Sequence, residues 1–215
     1  MHYTSVLFDL DGTLLDTLGD LTAAMNRTLT RHGLPERTRQ QMRAALGNGA
    51  RRLMELSVPA GTNGALFETL LAEYNADYAA HCRIETAPYP GVDALLRQLH
   101  AQGRKLAIVS NKPDEAVRAL RTEFFADTVP IAVGEKQGIR RKPAPDTLLA
   151  AMTQLGADPA NTVYVGDSEV DIATARAAGL PCISVLWGFR DRDLLEHAGA
   201  QQFAADAGEL ARLLD

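Results

Sequence analysis

The chain has 215 residues, 46% of them apolar and 23% charged, and 22 Lys and Arg against 27 Asp and Glu leave a formal charge of −5. Those proportions belong to a folded globular protein with room for one good core and a small second domain, and they exclude a disordered chain. No basic field marks a nucleic-acid binder and no run of about eighteen apolar residues offers a bilayer span, so neither nucleic acid nor membrane is expected as a partner. Met1-His2-Tyr3-Thr4 is polar and runs straight into a strand, which fits no signal peptide and predicts a cytoplasmic protein. Cys82 and Cys182 sit in no metal-binding spacing and are expected to be reduced thiols.

In chain order, Val6-Leu7-Phe8 reads as a buried strand and Gly12 as the turn after it. A helical period follows. Leu18, Leu21, Met25 and Leu29 form one apolar stripe that ends near Gly33-Leu34-Pro35, and a second helix is expected from Thr38, its cap, to Leu46. Gly47-Asn48-Gly49 breaks the pattern, a short helix covers Arg51 to Leu56, and a longer one carries Leu66, Phe67, Leu70, Leu71, Tyr74 and Tyr78. Pro88 and Pro90-Gly91 close the segment.

From there helices and strands alternate. Helices are predicted at Val92 to Gln102, Asp114 to Glu123, Pro145 to Leu155 and Glu169 to Ala178, with strands at Lys105 to Ser110, Val129 to Val133, Thr162 to Val165 and Cys182 to Leu186. One or two helices, Asp191 to Ala198 and Ala207 to Leu214, finish the chain. This alternation implies an α/β, Rossmann-like parallel sheet covered on both faces, binding ligands beyond the carboxyl ends of its strands. Residues 1–16 and 86–215 would form that core. Residues 17–85 would be an inserted all-helical cap, leaving the core at the ligand-binding edge.

Asp9 and Asp11 carry the first chemical signal. Strand side chains alternate with period two, so both carboxylates fall on one side at the strand's end, where they repel each other unless a cation or a shared proton compensates. Ser110-Asn111-Lys112 ends a strand and opens a helix, where a hydroxyl and unpaired N–H groups can hold an anion, although a Ser or Asn there also reads as a plain helix cap. Lys142 precedes Pro143 just before a helix, and alone it reads as a solvated charge. Gly166-Asp167-Ser168-Glu169-Val170-Asp171 puts two carboxylates four residues apart at a strand-to-helix junction; capping explains one of them and not both.

Taken together, the Asp9/Asp11 turn, Ser110, Lys142 and Asp167 with Asp171 resemble the four motifs of phosphatases of the haloacid dehalogenase superfamily. The helical insert looks like the cap of the subgroup that holds phosphoglycolate phosphatase and beta-phosphoglucomutase, and Gly47-Asn48-Gly49 with Trp187-Gly188 looks most like the phosphoglycolate phosphatase branch. The resemblance implies a phosphomonoesterase acting on a small phosphorylated metabolite, with Asp9 as nucleophile and Asp11 as acid and then base. It implies Mg²⁺ held by the Asp9 side chain, the Asp11 carbonyl and Asp167. Ser110, the Asn111 backbone and Lys142 would hold the phosphoryl oxygens, Asp171 would orient a water or Lys142, and Thr13 would help through backbone placement.

Three alternatives accompany this reading. A sugar phosphomutase would share every core motif; a dehalogenase would lack Asp11 and have no use for Asp167; a non-catalytic binding protein would not need the full set of carboxylates. Arg51 or Arg52 is a candidate for meeting a substrate carboxylate, and His32 reads as a helix-end residue. The chain would act as a monomer or homodimer.

Overall fold

The structure is a computed structural model that describes residues 3–215. Met1 and His2, the first residues of the polar start noted above, lie outside the described residues. The chain divides into two compact units: residues up to Asp16 with Pro88–Asp215, and Thr17–Ala87.

The elements in chain order are β1 (Ser5–Phe8), β2 (Leu15–Asp16), α1 (Leu18–Arg31), α2 (Arg39–Ala45), α3 (Gly49–Ser57), α4 (Gly64–His81), β3 (Ala87–Pro88), α5 (Val92–Ala101) and β4 (Lys105–Pro113). They continue with α6 (Asp114–Phe125), β5 (Ile131–Glu135), α7 (Asp146–Leu155), β6 (Thr162–Gly166), α8 (Glu169–Ala178), β7 (Cys182–Val185), α9 (Arg192–His197), β8 (Gln202–Ala204) and α10 (Ala207–Leu214).

Six strands form one parallel sheet in the order β5-β4-β1-β6-β7-β8. After β1 the chain winds to one side through β4 and β5, then returns to the other through β6, β7 and β8, so the order reverses on either side of β1. That switch point is where open α/β sheets bind ligands. Register does the placing: Phe8 pairs with Ile108 on one flank and Val165 on the other. One residue beyond Phe8 is Asp9, and two beyond Ile108 and Val165 are Ser110 and Asp167.

All of β1 is buried, as expected of a strand covered on both faces. Leu7, Ala107, Val109 and Tyr164 pack on one face with Leu148, Ala151 and Met152 of α7 and Ala175 of α8.

Strand assignments differ from the sequence reading at several points, the unforeseen two-residue strands β2 and β3 among them. The strand expected at Val129 to Val133 is Ile131–Glu135, because the Val129 N–H closes the end of α6 on the Phe125 carbonyl and Pro130 has no N–H to give a ladder. β4 runs on to Pro113, with a register irregularity between Val109 and Pro113. The edge strand β8 was not foreseen: three residues with one large apolar side chain carry no readable period.

In the helical unit Thr38 caps α2 in a reciprocal box with Gln41, and Asn63 caps α4 by accepting from the Leu66 N–H. Asp20 accepts from the N–H groups of Ile84, Glu85 and Thr86 and from the Thr86 hydroxyl, tying the start of α1 to the segment after α4. Asp77, almost wholly buried on α4, receives Arg27 at 2.6 Å and Arg31 at 3.0 Å from α1. Cys82 and Cys182 form no disulfide.

Burial raises the pKa of the Asp77 carboxyl, and the hydrogen bonds of Arg27 and Arg31 with the charges of Arg27 and His81 outweigh it, so its pKa ends below the usual 3.8. A carboxylate depressed in the folded state contributes stability above its unfolded pKa and loses it as pH falls through the folded value. Asp77→Asn should therefore destabilise the protein by about 1–2 kcal/mol at pH 7. In denaturant unfolding followed against pH, the gap from wild type should close below pH 3.8.

Candidate active site

The ends of β1 and β6 and the first turn of α8 bring the acidic residues together. Asp9, Asp167 and Asp171 are all buried, and one carboxylate oxygen from each lies within 4.8 Å of the others. Lys142 stands among them with its ammonium 2.9 Å from Asp9 Oδ1 and 2.8 Å from Asp171 Oδ1. Asp9 Oδ1 also accepts from the Leu10 N–H at 2.7 Å, which fixes the carboxylate at the strand end.

Lys142 is held from both ends. Asn111 pairs its side-chain amide with the Lys142 backbone, accepting from its N–H at 2.8 Å and donating to its carbonyl at 3.0 Å. Tyr164, inside β6, accepts from the Lys142 ammonium at 2.9 Å and donates to Asp171 Oδ1 at 3.0 Å. Burial, joined by Asp171 and Asp9, raises the Tyr164 phenol, which keeps it a donor. Sequence reasoning missed Tyr164 because a Tyr inside an apolar strand reads as core; a hydroxyl one residue before Val165-Gly166-Asp167 was the only available signal.

Asp171 is fully engaged on both oxygens, Oδ1 by Lys142 and Tyr164 and Oδ2 by the Ser168 N–H at 3.1 Å and hydroxyl at 2.6 Å. The Ser168/Asp171 capping box that starts α8 thus also anchors the lysine. Asp167 precedes the helix instead of lying in its first turn. It accepts from the Phe189 N–H at 2.7 Å and, at 3.4 Å, from the Thr13 hydroxyl. Thr13 also offers its carbonyl to the Trp187 indole N–H at 3.0 Å, so Trp187 hydrogen-bonds the first loop.

Ser110 lies on buried β4 and accepts from the Lys112 N–H. Asp11 is less buried than the three clustered acids, and its Oδ1 lies 3.0 Å from the Lys112 ammonium. Sequence reasoning gave Lys112 no role. In the helical unit, Arg51 makes a double contact with Glu68, Arg52 pairs with Glu55, and His32 with Glu73.

The cluster's electrostatics follow from burial. Three carboxylates against one ammonium leave negative charge in a dry site, which is costly unless a proton or a cation answers it. Burial, then Asp171, pushes Asp9 well above the usual carboxylate range despite the opposing pull of Lys142. Asp167 is pushed to about 7 by burial and Asp171, against the Phe189 N–H, Arg190 and Lys142. Burial alone would lower Lys142, but Asp171 and Asp9 outweigh it and hold it protonated. An all-oxygen donor set whose acids are short of positive charge fits a hard divalent cation.

Comparison with known proteins gives the family. The sequence profile of the haloacid dehalogenase-like hydrolases matches residues 6–185. A phosphoglycolate phosphatase of Xanthomonas campestris is 36% identical over 187 residues, covering 86% of this chain and 84% of its own. The N-acetylmuramic acid 6-phosphate phosphatase of Pseudomonas aeruginosa is 32% identical over 217 residues, covering 100% of this chain and 96% of its own. A crystal structure of a Lactobacillus delbrueckii protein superposes with a TM-score of 0.94 at 36% identity, covering 100% of this chain and 99% of that one. The chain belongs to the haloacid dehalogenase-like hydrolase family. No helix among the described residues is long and apolar enough to cross a membrane.

Close packing around Asp167 gives a test. A Cβ on Gly188 would stand 2.4 Å from both the Asp167 Cβ and the Gly12 carbonyl oxygen, neither of which is the end of a flexible side chain. Gly188→Ala should therefore cost about 1–3 kcal/mol in thermal unfolding. Displacing Asp167 should also lower hydrolysis of an aryl phosphate by tenfold or more, on the order of what ångström-scale misplacement does.

Proposed function

We propose that this family member, a phosphoric monoester hydrolase, is a Mg²⁺-dependent phosphatase of a small phosphorylated acid, working through an aspartyl-phosphate on Asp9. The observation that carries this reading is the buried Lys142 ammonium shared by Asp9 and Asp171 beside Asp167, a cationic centre within an acidic one. Asp9 and Asp167, with the Asp11 carbonyl, would hold the Mg²⁺, which supplies charge neutralisation for the phosphoryl oxygens.

A phosphomonoester dianion repels a carboxylate, and Lys142 offsets that repulsion at the nucleophile itself. Asp9 attacks phosphorus, the ester bond breaks, and Asp11 gives its proton to the departing alkoxide. A water then attacks the phosphorus of the aspartyl-phosphate while Asp11 takes back a proton, releasing phosphate and the free Asp9 carboxylate. Ser110, whose oxygen already accepts from the Lys112 N–H, has its own proton to give to a phosphoryl oxygen, together with the Asn111 backbone N–H. With both carboxylate oxygens engaged, Asp171 keeps Lys142 in place. The helical unit Thr17–Ala87, inserted directly after the Asp9–Asp16 segment, serves as a cap that selects the leaving group.

Phosphoglycolate is the leading substrate, supported by the Xanthomonas relative. The full-length match to the N-acetylmuramic acid 6-phosphate phosphatase favours a second reading in which the phosphorylated acid is an amino sugar. Return of the phosphoryl group to a second sugar hydroxyl, the mutase outcome, uses the same residues.

A phosphate-release panel of phosphoglycolate, N-acetylmuramic acid 6-phosphate and a hexose 1-phosphate decides among them. The expected result is release from one of the two acids, lost in chelator and restored by Mg²⁺. Asp9→Asn should lower kcat by at least about 10³-fold, as for loss of a covalent nucleophile. Isomerisation of the hexose phosphate without release would make the protein a mutase, and full activity in Asp9→Asn would remove Asp9 as nucleophile.

A further inference from the structure

Two lysines reach the acidic site, and they divide it. Lys142 serves Asp9 and Asp171, whereas Lys112, on the last residues of β4, places its ammonium 3.0 Å from Asp11 Oδ1. The Lys112 side chain is only 5% exposed, and that of Asp11 is 19% exposed. Burying an ammonium group costs stability unless a partner answers it, so a lysine here brings a polar task into a strand end that an apolar side chain would fill at lower cost.

We propose that Lys112 is a positioning residue for Asp11, holding the carboxylate that exchanges protons with the leaving group at a fixed orientation in the site. The inference rests on the phosphatase reading above. Two features of β4 fix the lysine. The register irregularity between Val109 and Pro113 falls across Ser110-Asn111-Lys112, and the Lys112 N–H is held by the Ser110 hydroxyl at 3.2 Å. Behind it there is no room to retreat, since a Cβ on Gly134 of β5 would come within 2.7 Å of the Lys112 carbonyl oxygen. Asp11 lies beside the tight turn at Gly12, whose φ of +83° favours glycine, so the loop sets its backbone, and its carboxylate meets the Lys112 ammonium. One strand end thus aims two groups at opposite sides of the reaction: Ser110 at the phosphoryl oxygens and Lys112 at the acid that meets the leaving oxygen.

The test separates proton delivery from stability. The value of kcat/KM is measured for wild type, Lys112→Met, Lys112→Gln and Lys112→Arg on phenyl phosphates of similar size whose leaving groups differ in basicity: p-nitrophenyl, phenyl and p-methoxyphenyl phosphate. A well-placed general acid matters most for the basic leaving groups, where it is worth about 10²–10⁴-fold. Lys112→Met and Lys112→Gln should lose on the order of tenfold more on phenyl and p-methoxyphenyl phosphate than on p-nitrophenyl phosphate, and Lys112→Arg should regain most of that difference. Should the methionine variant fail to fold, the glutamine variant carries the comparison.

A parallel fall on all three esters would overturn the proposal and make Lys112 a structural residue, as would unchanged rates. A loss confined to carboxylated esters such as phosphoglycolate would also overturn it, by making Lys112 a substrate contact. Failure of the phosphatase reading shows separately, as wild-type protein with Mg²⁺ releasing phosphate from none of the esters.

Discussion

The structure depends on an excess of buried negative charge arranged around one ammonium group. Three carboxylates are drawn out of water at the end of β1, the end of β6 and the first turn of α8, and Lys142 pairs with two of them, Asp9 and Asp171. Left to itself such a cluster opposes folding, because each desolvated charge costs several kcal/mol. The shifts of Asp9 and Asp167 express that cost as a demand for positive charge, which the proposed cation would meet.

The surrounding architecture serves that cluster. Parallel pairing of β1 with β4 and β6 sets three strand ends level, and the backbone N–H groups of Leu10, Ser168 and Phe189 lock the carboxylates. Asn111 acts like a short extra strand, pairing with the Lys142 backbone across 31 residues of sequence. Tyr164 shows how a core position is given a polar duty: its ring packs with Leu7 and Val109 while its hydroxyl joins Lys142 to Asp171. The site is therefore built from the backbone of the sheet as much as from its loops, which gives the rigidity that electrostatic catalysis requires.

The helical unit is organised on a different principle. It is held by capped helices, a buried Asp77 between two arginines of α1, and Asp20 gathering the donors that follow α4. Its polar anchors join the first helix of the insert to the last and to the segment that follows it. Arg51 and Arg52, candidates for substrate contact from sequence, are both paired with glutamates of the same unit. An exposed arginine on an amphipathic helix finds an acidic neighbour one turn away or on the next helix, and sequence cannot separate that from a ligand contact.

Local sequence determined the helices, the Thr38 cap of α2 and the strand–turn junctions, because period, capping chemistry and glycine are properties of a few neighbouring residues. It also determined which carboxylates stand at strand ends, since Asp9 and Asp167 directly follow apolar runs. Tertiary structure alone decided how those ends meet. That Lys142 bridges Asp9 and Asp171, that Lys112 faces Asp11, that Trp187 bonds the Thr13 carbonyl and that β8 closes the sheet edge are facts of register and strand order. The physical reason is that a hydrogen bond or ion pair between residues 31, 101 or 174 positions apart leaves no periodic trace in either segment; it exists only once the sheet has set both ends at the same level.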